Sequence, residues 1–232
     1  MTIGILPAAG KATRIHGLPK YLLPVPGGYL LERMAARMTA PCVIGANPDN
    51  AALIESCKPP NSTVYTVNSR SMPETILAAR EYAGDDNVLV GMPDTYWTDE
   101  DVFASLKMRT INFGMMCAVA LFAVTPIQAT RLGVCPITNV GGYPFIASVI
   151  DKNPHVSTEY RIYAWGALAW RAEFWQYIQP DDAHMGIALQ RALDDDVPIM
   201  AYLADGDYYD NGTPDDYFRC IRELTEVNHA TR

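Results

Sequence analysis

Basic residues are scarce in this sequence. Lysine and arginine number 18 against 26 aspartates and glutamates, a net charge of −8 over 232 residues. Nucleic-acid binders carry a basic face or stripe, so this balance argues against that class. It also demands that any site for a phosphorylated ligand be a local cationic spot, helped by backbone N–H groups or a metal. Cysteine is sparse and scattered: Cys42, Cys57, Cys117, Cys135 and Cys220 form no C-x-x-C pair. Structural zinc and a disulfide framework are therefore not expected, and a reducing cytoplasm fits best. No charged leader precedes the first apolar run at Ile3, so no signal peptide is expected. The longest apolar stretch, residues 114–124, is too short to cross a bilayer and reads as a buried strand. His16, His155, His184 and His229 show no metal-ligand spacing. Internal repeats, low-complexity segments and linkers are missing too.

What is present is a core. Apolar residues make up 49 % and charged residues 19 %, which suits a soluble globular chain. In the first half, short apolar runs at 2–6, 42–45, 63–67 and 88–91 read as strands. Helical patterns alternate with them at 30–38, 50–57, 73–82 and 98–107, the last capped by Thr98. That alternation predicts a parallel sheet with helices on both faces. The second half is less regular. It offers strands at 115–124, 165–170 and 199–203, and helices at 172–178, 187–193 and 214–226, with Thr213 as cap and Pro214 at the first helical position. Residues 132–137 and 145–150 read as a hairpin around 139–142, where Gly141-Gly142 supplies turn chemistry. The expected architecture is a single α/β domain over 1–232, a doubly wound, mostly parallel sheet with an inserted β-hairpin region.

Ligands in open α/β sheets bind beyond the carboxyl ends of the strands. The first loop at that edge, 8–20, opens with small residues at Ala8, Ala9, Gly10 and Ala12, which let backbone amides approach a polyanion. Lys11 and Thr13 stand among them. Arg14 offers a planar fork for phosphate oxygens and Lys20 a compact charge, stiffened by Pro19 and Pro24. His16 lies in the same loop. Residue types alone leave a second reading open, a tight turn with Arg14 and Lys20 in solvent. The loop is neither a Walker loop nor G-x-G-x-x-G. Two carboxylates at loop positions suit Mg²⁺, a hard cation commonly held by one or two carboxylates plus substrate phosphates. Asp94 follows the fourth strand and Asp210 precedes the last helix. Both also fit ordinary turns.

The run Leu6-Pro7-Ala8-Ala9-Gly10-Lys11-Ala12-Thr13-Arg14, followed by Pro19-Lys20-Tyr21-Leu22-Leu23-Pro24-Val25, resembles the signature of the sugar-1-phosphate nucleotidyltransferases, L-A-x-G-x-G-T-R then P-K-x-L-L-P-V. Ala12 stands where that family has its second glycine, and the spacer is short. The family's fold is Rossmann-like, akin to the GT-A glycosyltransferases. The resemblance implies that loop residues 8–13 bind nucleotide, that Arg14 binds the β- and γ-phosphates, and that Lys20 contacts the phosphates at the reaction centre. Met92-Pro93-Asp94-Thr95 resembles the family's G-D-N, and Asp210-Asn211-Gly212-Thr213-Pro214 its D-x-G-T-P. These assign the catalytic Mg²⁺ to Asp94 and Asp210 and set Met92 beside the nucleotide. Ser71-Met72-Pro73-Glu74-Thr75 resembles the P-x-G that faces the base, nominating Pro73 and Thr75. Leu132-Gly133-Val134 resembles Y-G-V, and Asp151-Lys152-Asn153-Pro154 resembles E-K-P with one residue inserted. There the acid touches sugar hydroxyls and the lysine the sugar phosphate, which nominates Asp151 and Lys152. Gly166 falls on the glycine-containing strand beneath the sugar.

The resemblance thus implies transfer from a nucleoside triphosphate, dTTP or UTP favoured, to a hexose 1-phosphate, with Mg²⁺ as cofactor. The partners are the NTP and the phosphorylated acceptor, with no nucleic acid and no membrane; a homo-oligomer is left open. The chain stops soon after the D-x-G-T-P match, so the C-terminal β-helix of longer relatives is not expected. Three rivals stand beside this reading: a cytidylyltransferase acting on phosphocholine or another non-sugar phosphate, a nucleotide-binding regulator without turnover, and a glycosyltransferase. The D-x-D typical of the last is matched by Asp205-Gly206-Asp207, but too late in the chain.

Overall fold

The computed structural model describes residues 1–10, 19–152 and 161–230. Its strands are β1 (Thr2–Pro7), β2 (Pro24–Val25), β3 (Gly28–Tyr29), β4 (Cys42–Ala46), β5 (Ser62–Thr66), β6 (Asn87–Gly91), β7 (Thr95–Trp97), β8 (Cys117–Val124), β9 (Gly133–Val134), β10 (Ile137–Val140), β11 (Tyr143–Ile146), β12 (Ile150–Asp151), β13 (Ile162–Trp170), β14 (Ile199–Leu203) and β15 (Tyr208–Asp210). The α-helices are α1 (Leu30–Met38), α2 (Ala51–Cys57), α3 (Met72–Ala78), α4 (Arg80–Ala83), α5 (Val102–Ile111), α6 (Pro126–Ala129), α7 (Met185–Asp194) and α8 (Pro214–Ala230). Among the described residues, no helix is long and apolar enough to cross a membrane.

The main path of the large sheet runs β10-β11-β14-β8-β13-β6-β1-β4-β5. Pairs β1·β4, β1·β6, β4·β5 and β8·β14 are parallel. Only β13 and β11 run against the others along this path. Successive side chains of a strand point to opposite faces, and here both faces are buried. Ile5, Val88, Val90, Val119, Leu121, Leu168 and Trp170 enter one core. Their neighbours Leu6, Leu89, Ala118, Ala120, Phe122, Ala167 and Ala169 enter the other. A sheet apolar on both faces must be covered by helices on both, which is the doubly wound arrangement expected. Helix α1 shows how the cover forms: Leu30, Leu31, Met34, Ala35 and Met38 make one buried stripe.

Several elements differ from the sequence expectation, each for a local reason. The helix expected over 98–107 begins at Val102, because the Thr98 hydroxyl is engaged elsewhere. It accepts the Asp207 N–H at 2.7 Å and donates to the Asp207 carbonyl at 3.3 Å. The helix expected over 73–82 divides into α3 and α4 at Ala79, whose N–H turns back to Ile76 at 3.0 Å. Residues Ala172–Tyr177 form a 3-10 helix rather than an α-helix. The hairpin forms as β10 and β11, with Gly141 and Gly142 both at positive φ, 60° and 85°. Its outer halves do not continue it. Pro136 has no N–H for the ladder, and β9 turns away to pair with β12 and β13.

The two-stranded ribbon β7·β15 was not legible in the sequence. It carries the site described next.

Candidate active site

The loop after β1 begins at the carboxyl end of the sheet and is held by its neighbour. The Ala8 N–H donates to the Gly45 carbonyl at 2.7 Å. The carbonyls of Ala8 and Ala9 accept the side-chain amides of Asn50 and Asn47, each at 2.9 Å. Asn47 Oδ1 in turn accepts the N–H groups of Asp49 and Asn50 at 2.9 Å. Ala8 and Ala9 are thereby buried, and Gly10 is exposed with nothing within 4 Å of where a Cβ would stand. Sequence reasoning missed Asn47 and Asn50. Asn47-Pro48-Asp49-Asn50 at the end of a strand carried turn chemistry that could have found them. Lys11, Ala12, Thr13, Arg14 and His16 lie outside the described residues.

Lys20 opens a 3-10 turn, Lys20–Leu22, set between Pro19 and Leu23. Tyr21 beside it is buried, which pushes its phenol up to about 12. The turn sends Lys20 inward. Its side chain is only 11 % exposed, and Nζ lies 3.3 Å from Asp94 Oδ2. The reading of Lys20 as a solvated lysine is therefore excluded.

Asp94 sits in the turn between β6 and β7. Thr95 closes that turn, its N–H and hydroxyl donating to the Met92 carbonyl at 3.2 and 2.9 Å. Across the ribbon, Asp210 stands opposite Thr95. Asn211 completes the lock. It is fully buried, and its N–H and side-chain amide both donate to the Asp94 carbonyl, at 3.3 and 3.1 Å. Two carboxylates 116 positions apart are so brought to one edge. Tyr208 reports their convergence: burial first, then the charges of Asp210 and Asp94, push its phenol far above the ordinary range. Tyr208 is held by stacking on Phe122, with centroids 3.9 Å apart, and by an edge contact with Trp97.

This donor set fits Mg²⁺. Two hard carboxylates at one edge of the sheet, Asp94 in the turn before Thr95 and Asp210 opposite Thr95 in the ribbon, match its preference for few protein ligands. Among the described residues, no cluster of three or more acidic, histidine or cysteine side chains is arranged for a metal.

Of the remaining nominated residues, Met92 and Gly166 stand beside the ribbon through Thr95 and Tyr208, and Thr75 packs beside Gly45, whose carbonyl holds the Ala8 N–H. Pro73 is buried in the first turn of α3. Thr75 is 2 % exposed, and its groups are already engaged. Its hydroxyl bonds Ser69 and the Ser71 carbonyl, its N–H the Ser71 carbonyl, and its own carbonyl accepts the Tyr65 phenol. Each polar group of Thr75 thus already has a protein partner. Met92 is half-buried, its carbonyl occupied by Thr95. Gly166 lies at a bulge in β13, where a Cβ would come within 2.6 Å of Trp97 and 3.0 Å of Tyr208. The missing side chain makes room for two rings. Asp151 and Lys152 stand at the end of β12. Lys152 is 66 % exposed and lies 3.5 Å from Asp151, which also faces His184 Nε2 at 3.4 Å. Asp205 and Asp207 are exposed.

Residues 4–159 match the family described as the MobA-like NTP transferase domain. The chain belongs to this family. The match spans the first-strand loop, Lys20, Asp94 and Asp151; Asp210 follows it. No curated protein sequence matches. Among solved structures, a UTP-bound UGPase from Acinetobacter baumannii is similar with a TM-score of 0.78 and 16 % identity, covering 100 % of this chain and 98 % of that one. An apo UDP-glucose pyrophosphorylase gives 0.81 and 15 %, covering 98 % and 99 %. A putative glucose-1-phosphate thymidylyltransferase from Bacillus anthracis, in complex with a sucrose, gives 0.79 and 18 %, covering 97 % and 95 %. At these identities the likeness is one of fold. With it, the NTP transferase fold extends over nearly the whole chain, through β13, β15 and α8.

Proposed function

We propose that this chain transfers a nucleotidyl group from a nucleoside triphosphate to a sugar 1-phosphate, giving an NDP-sugar and pyrophosphate. The observation that carries the reading is the Lys20–Asp94 pair at the carboxyl edge of the sheet, with Asp210 opposite Thr95 in the adjoining ribbon. Family membership supports NTP transfer. UTP and dTTP are favoured because the similar folds include proteins named for UDP-glucose and thymidylyl chemistry.

In this reading, a phosphate oxygen of the acceptor attacks the α-phosphorus. The bond from that phosphorus to the bridging oxygen breaks, and pyrophosphate leaves with the electron pair. Asp94 and Asp210 would hold Mg²⁺, which when bound supplies charge neutralisation at the phosphates. Lys20 is positioned by its pairing with Asp94 and needs no reorganisation to meet developing charge. Arg14, in the loop after β1, is proposed to bind the β- and γ-phosphates. The backbone of Ala8 to Gly10, fixed by Asn47 and Asn50, sets where that loop departs. Holding two anions side by side is the main catalytic task.

The test is incubation with each NTP, Mg²⁺ and a panel of hexose 1-phosphates and phosphocholine, with detection of pyrophosphate. Release with UTP or dTTP and a hexose 1-phosphate is the expected result. Release only with CTP and phosphocholine would replace the acceptor class. Nucleotide binding without release under any pairing would make the chain a non-catalytic binder.

A further inference from the structure

The loop nominated for the triphosphate has two ends, and both are placed. One is Ala8, whose carbonyl accepts the Asn50 side-chain amide at 2.9 Å. The other is the 3-10 turn Lys20–Leu22, which brings Lys20 Nζ to 3.3 Å from Asp94. Tyr21 stands in that turn at the position the signature P-K-x-L-L-P-V leaves open, so no motif gives it a role. Its ring is buried in the same apolar cluster as Ala8, Ala46 and Ile54 of α2. Asn50 stands at the start of that helix, and its carbonyl accepts the Ile54 N–H at 3.0 Å. Its side chain makes no capping bond to the helix, so the amide serves other partners. Packing around Tyr21 would be met by a phenylalanine. The hydroxyl is what packing does not explain.

The Tyr21 hydroxyl and Asn50 Oδ1 are both buried, and among the described residues neither has a partner at full hydrogen-bonding geometry. Asn50 is the amide within reach of the phenol. A buried unpaired polar group is costly, so a lone donor beside a lone acceptor is a pair poised to close. What Asn50 already does fixes the direction of the bond. Its Nδ2 is spent on the Ala8 carbonyl, which leaves Oδ1 to accept and the phenol to donate. Cys57 also bears on the phenol, but its thiol donates to the Leu53 carbonyl at 3.1 Å. Burial pushes the phenol up to about 12, so the proton it would donate is present at any ordinary working pH.

We propose that Tyr21 is a positioning residue whose hydroxyl closes on Asn50 Oδ1 and clasps the Lys20 turn to the root of the triphosphate loop, a role that rests on the proposed nucleotidyl transfer. One amide then holds both ends, Ala8 through Nδ2 and the Lys20 turn through Oδ1. A loop whose ends are held together has less freedom to lose when it orders on a ligand. A double-mutant cycle tests the clasp with Tyr21→Phe, Asn50→Ala and the double variant, read by steady-state pyrophosphate release with UTP or dTTP, Mg²⁺ and glucose 1-phosphate. Tyr21→Phe is expected to lower kcat/KM for the NTP about threefold to tenfold, the size of one net hydrogen bond, with the acceptor KM within about twofold. In the Asn50→Ala background the same substitution should cost less than about 1.5-fold, because the acceptor is already gone. An equal loss in both backgrounds overturns the proposal, since the hydroxyl would then act without Asn50. Unchanged kinetics in Tyr21→Phe overturn it too, and a raised Tm beside them would mark the hydroxyl as an orphan. Should no NTP yield pyrophosphate, the cycle is read on the Kd of each NTP by calorimetry. Coupling between Tyr21 and Asn50 there keeps the clasp while nucleotidyl transfer fails; no coupling, or no binding, overturns the clasp. Melting curves establish that each variant is folded, and Asn50→Ser, which keeps a helix-capping residue but is too short to reach both partners, replaces Asn50→Ala if that variant is not.

Discussion

The pair Lys20–Asp94 can be taken apart from either side, and the two cuts have different consequences. At 3.3 Å, the attraction between unit charges is about 5 kcal/mol at an effective dielectric of about 20. Desolvation offsets much of that. The two partners are not equally dry: the Lys20 side chain is 11 % exposed and that of Asp94 29 %. Asp94→Asn leaves an ammonium nearly buried beside a neutral amide. Breaking a fully buried pair in this way costs about 3–5 kcal/mol, and with Asp94 partly wet we expect about 2 kcal/mol. For a chain of this size that lowers Tm by roughly 4–8 °C. Lys20→Met keeps the buried stem and leaves a carboxylate that water can reach, so its stability cost should stay below about 1 kcal/mol. Its catalytic cost should be the larger one, a loss of roughly 10²–10³ in kcat, the scale for removing one preorganised charge-stabilising donor. Thermal melts without nucleotide or metal, paired with steady-state pyrophosphate release, read both quantities. Lys20→Met with kcat within about threefold of wild type would show that the lysine merely fills the turn. Asp94→Asn with an unchanged Tm would show that the pair does not hold the ammonium at all.

Three further outcomes follow from contacts around that pair. Gly166→Ala places a Cβ within 2.6 Å of Trp97, so it should destabilise by about 1–3 kcal/mol through overpacking; a melt no lower than wild type would refute the packing account. Asn47→Ala removes the amide that holds the Ala9 carbonyl, and the expected result is a several-fold rise in KM for NTP with the acceptor KM unchanged. Chelation of divalent metal should abolish pyrophosphate release and added Mg²⁺ restore it. The nucleotide-free Tm should not move, because a Mg²⁺ held largely by substrate phosphates adds little to the fold without them.

The doubly wound sheet was legible because its strands are apolar runs flanked by helices with a one-sided stripe, of which 30–38 is the clearest. The ribbon β7·β15 was not. Each strand is three residues long, too short for any period, and the pairing joins Thr95 to Asp210. Sequence could nominate Asp94 and Asp210 separately, one from its strand end and both from motifs. It could not show that Asn211, read as part of a turn, is fully buried with its amide on the Asp94 carbonyl. That contact fixes the register in which the two carboxylates meet.

The net charge raised a question that resemblance answered only in part: where a chain of −8 keeps cations for two anionic substrates. Of the lysines that the motifs nominated, Lys20 is engaged by Asp94 and Lys152 by Asp151, while Lys11 lies outside the described residues. For Lys20, in the proposed reaction, the engagement would position a charge at the reacting phosphates. For Lys152 it leaves a mostly exposed ammonium whose nearest acid shares it. The arginines that do converge, Arg131 and Arg219, look in the sequence like ordinary members of a loop and of a polar helix face, since neither carries a neighbouring signal. Only the return of α8 beside the end of β8 brings them to one cleft, which Asp210 and Asp216 also line. A cleft assembled from side chains this distant in sequence has no one-dimensional signature, whereas a phosphate loop does, because its chemistry depends on consecutive backbone amides.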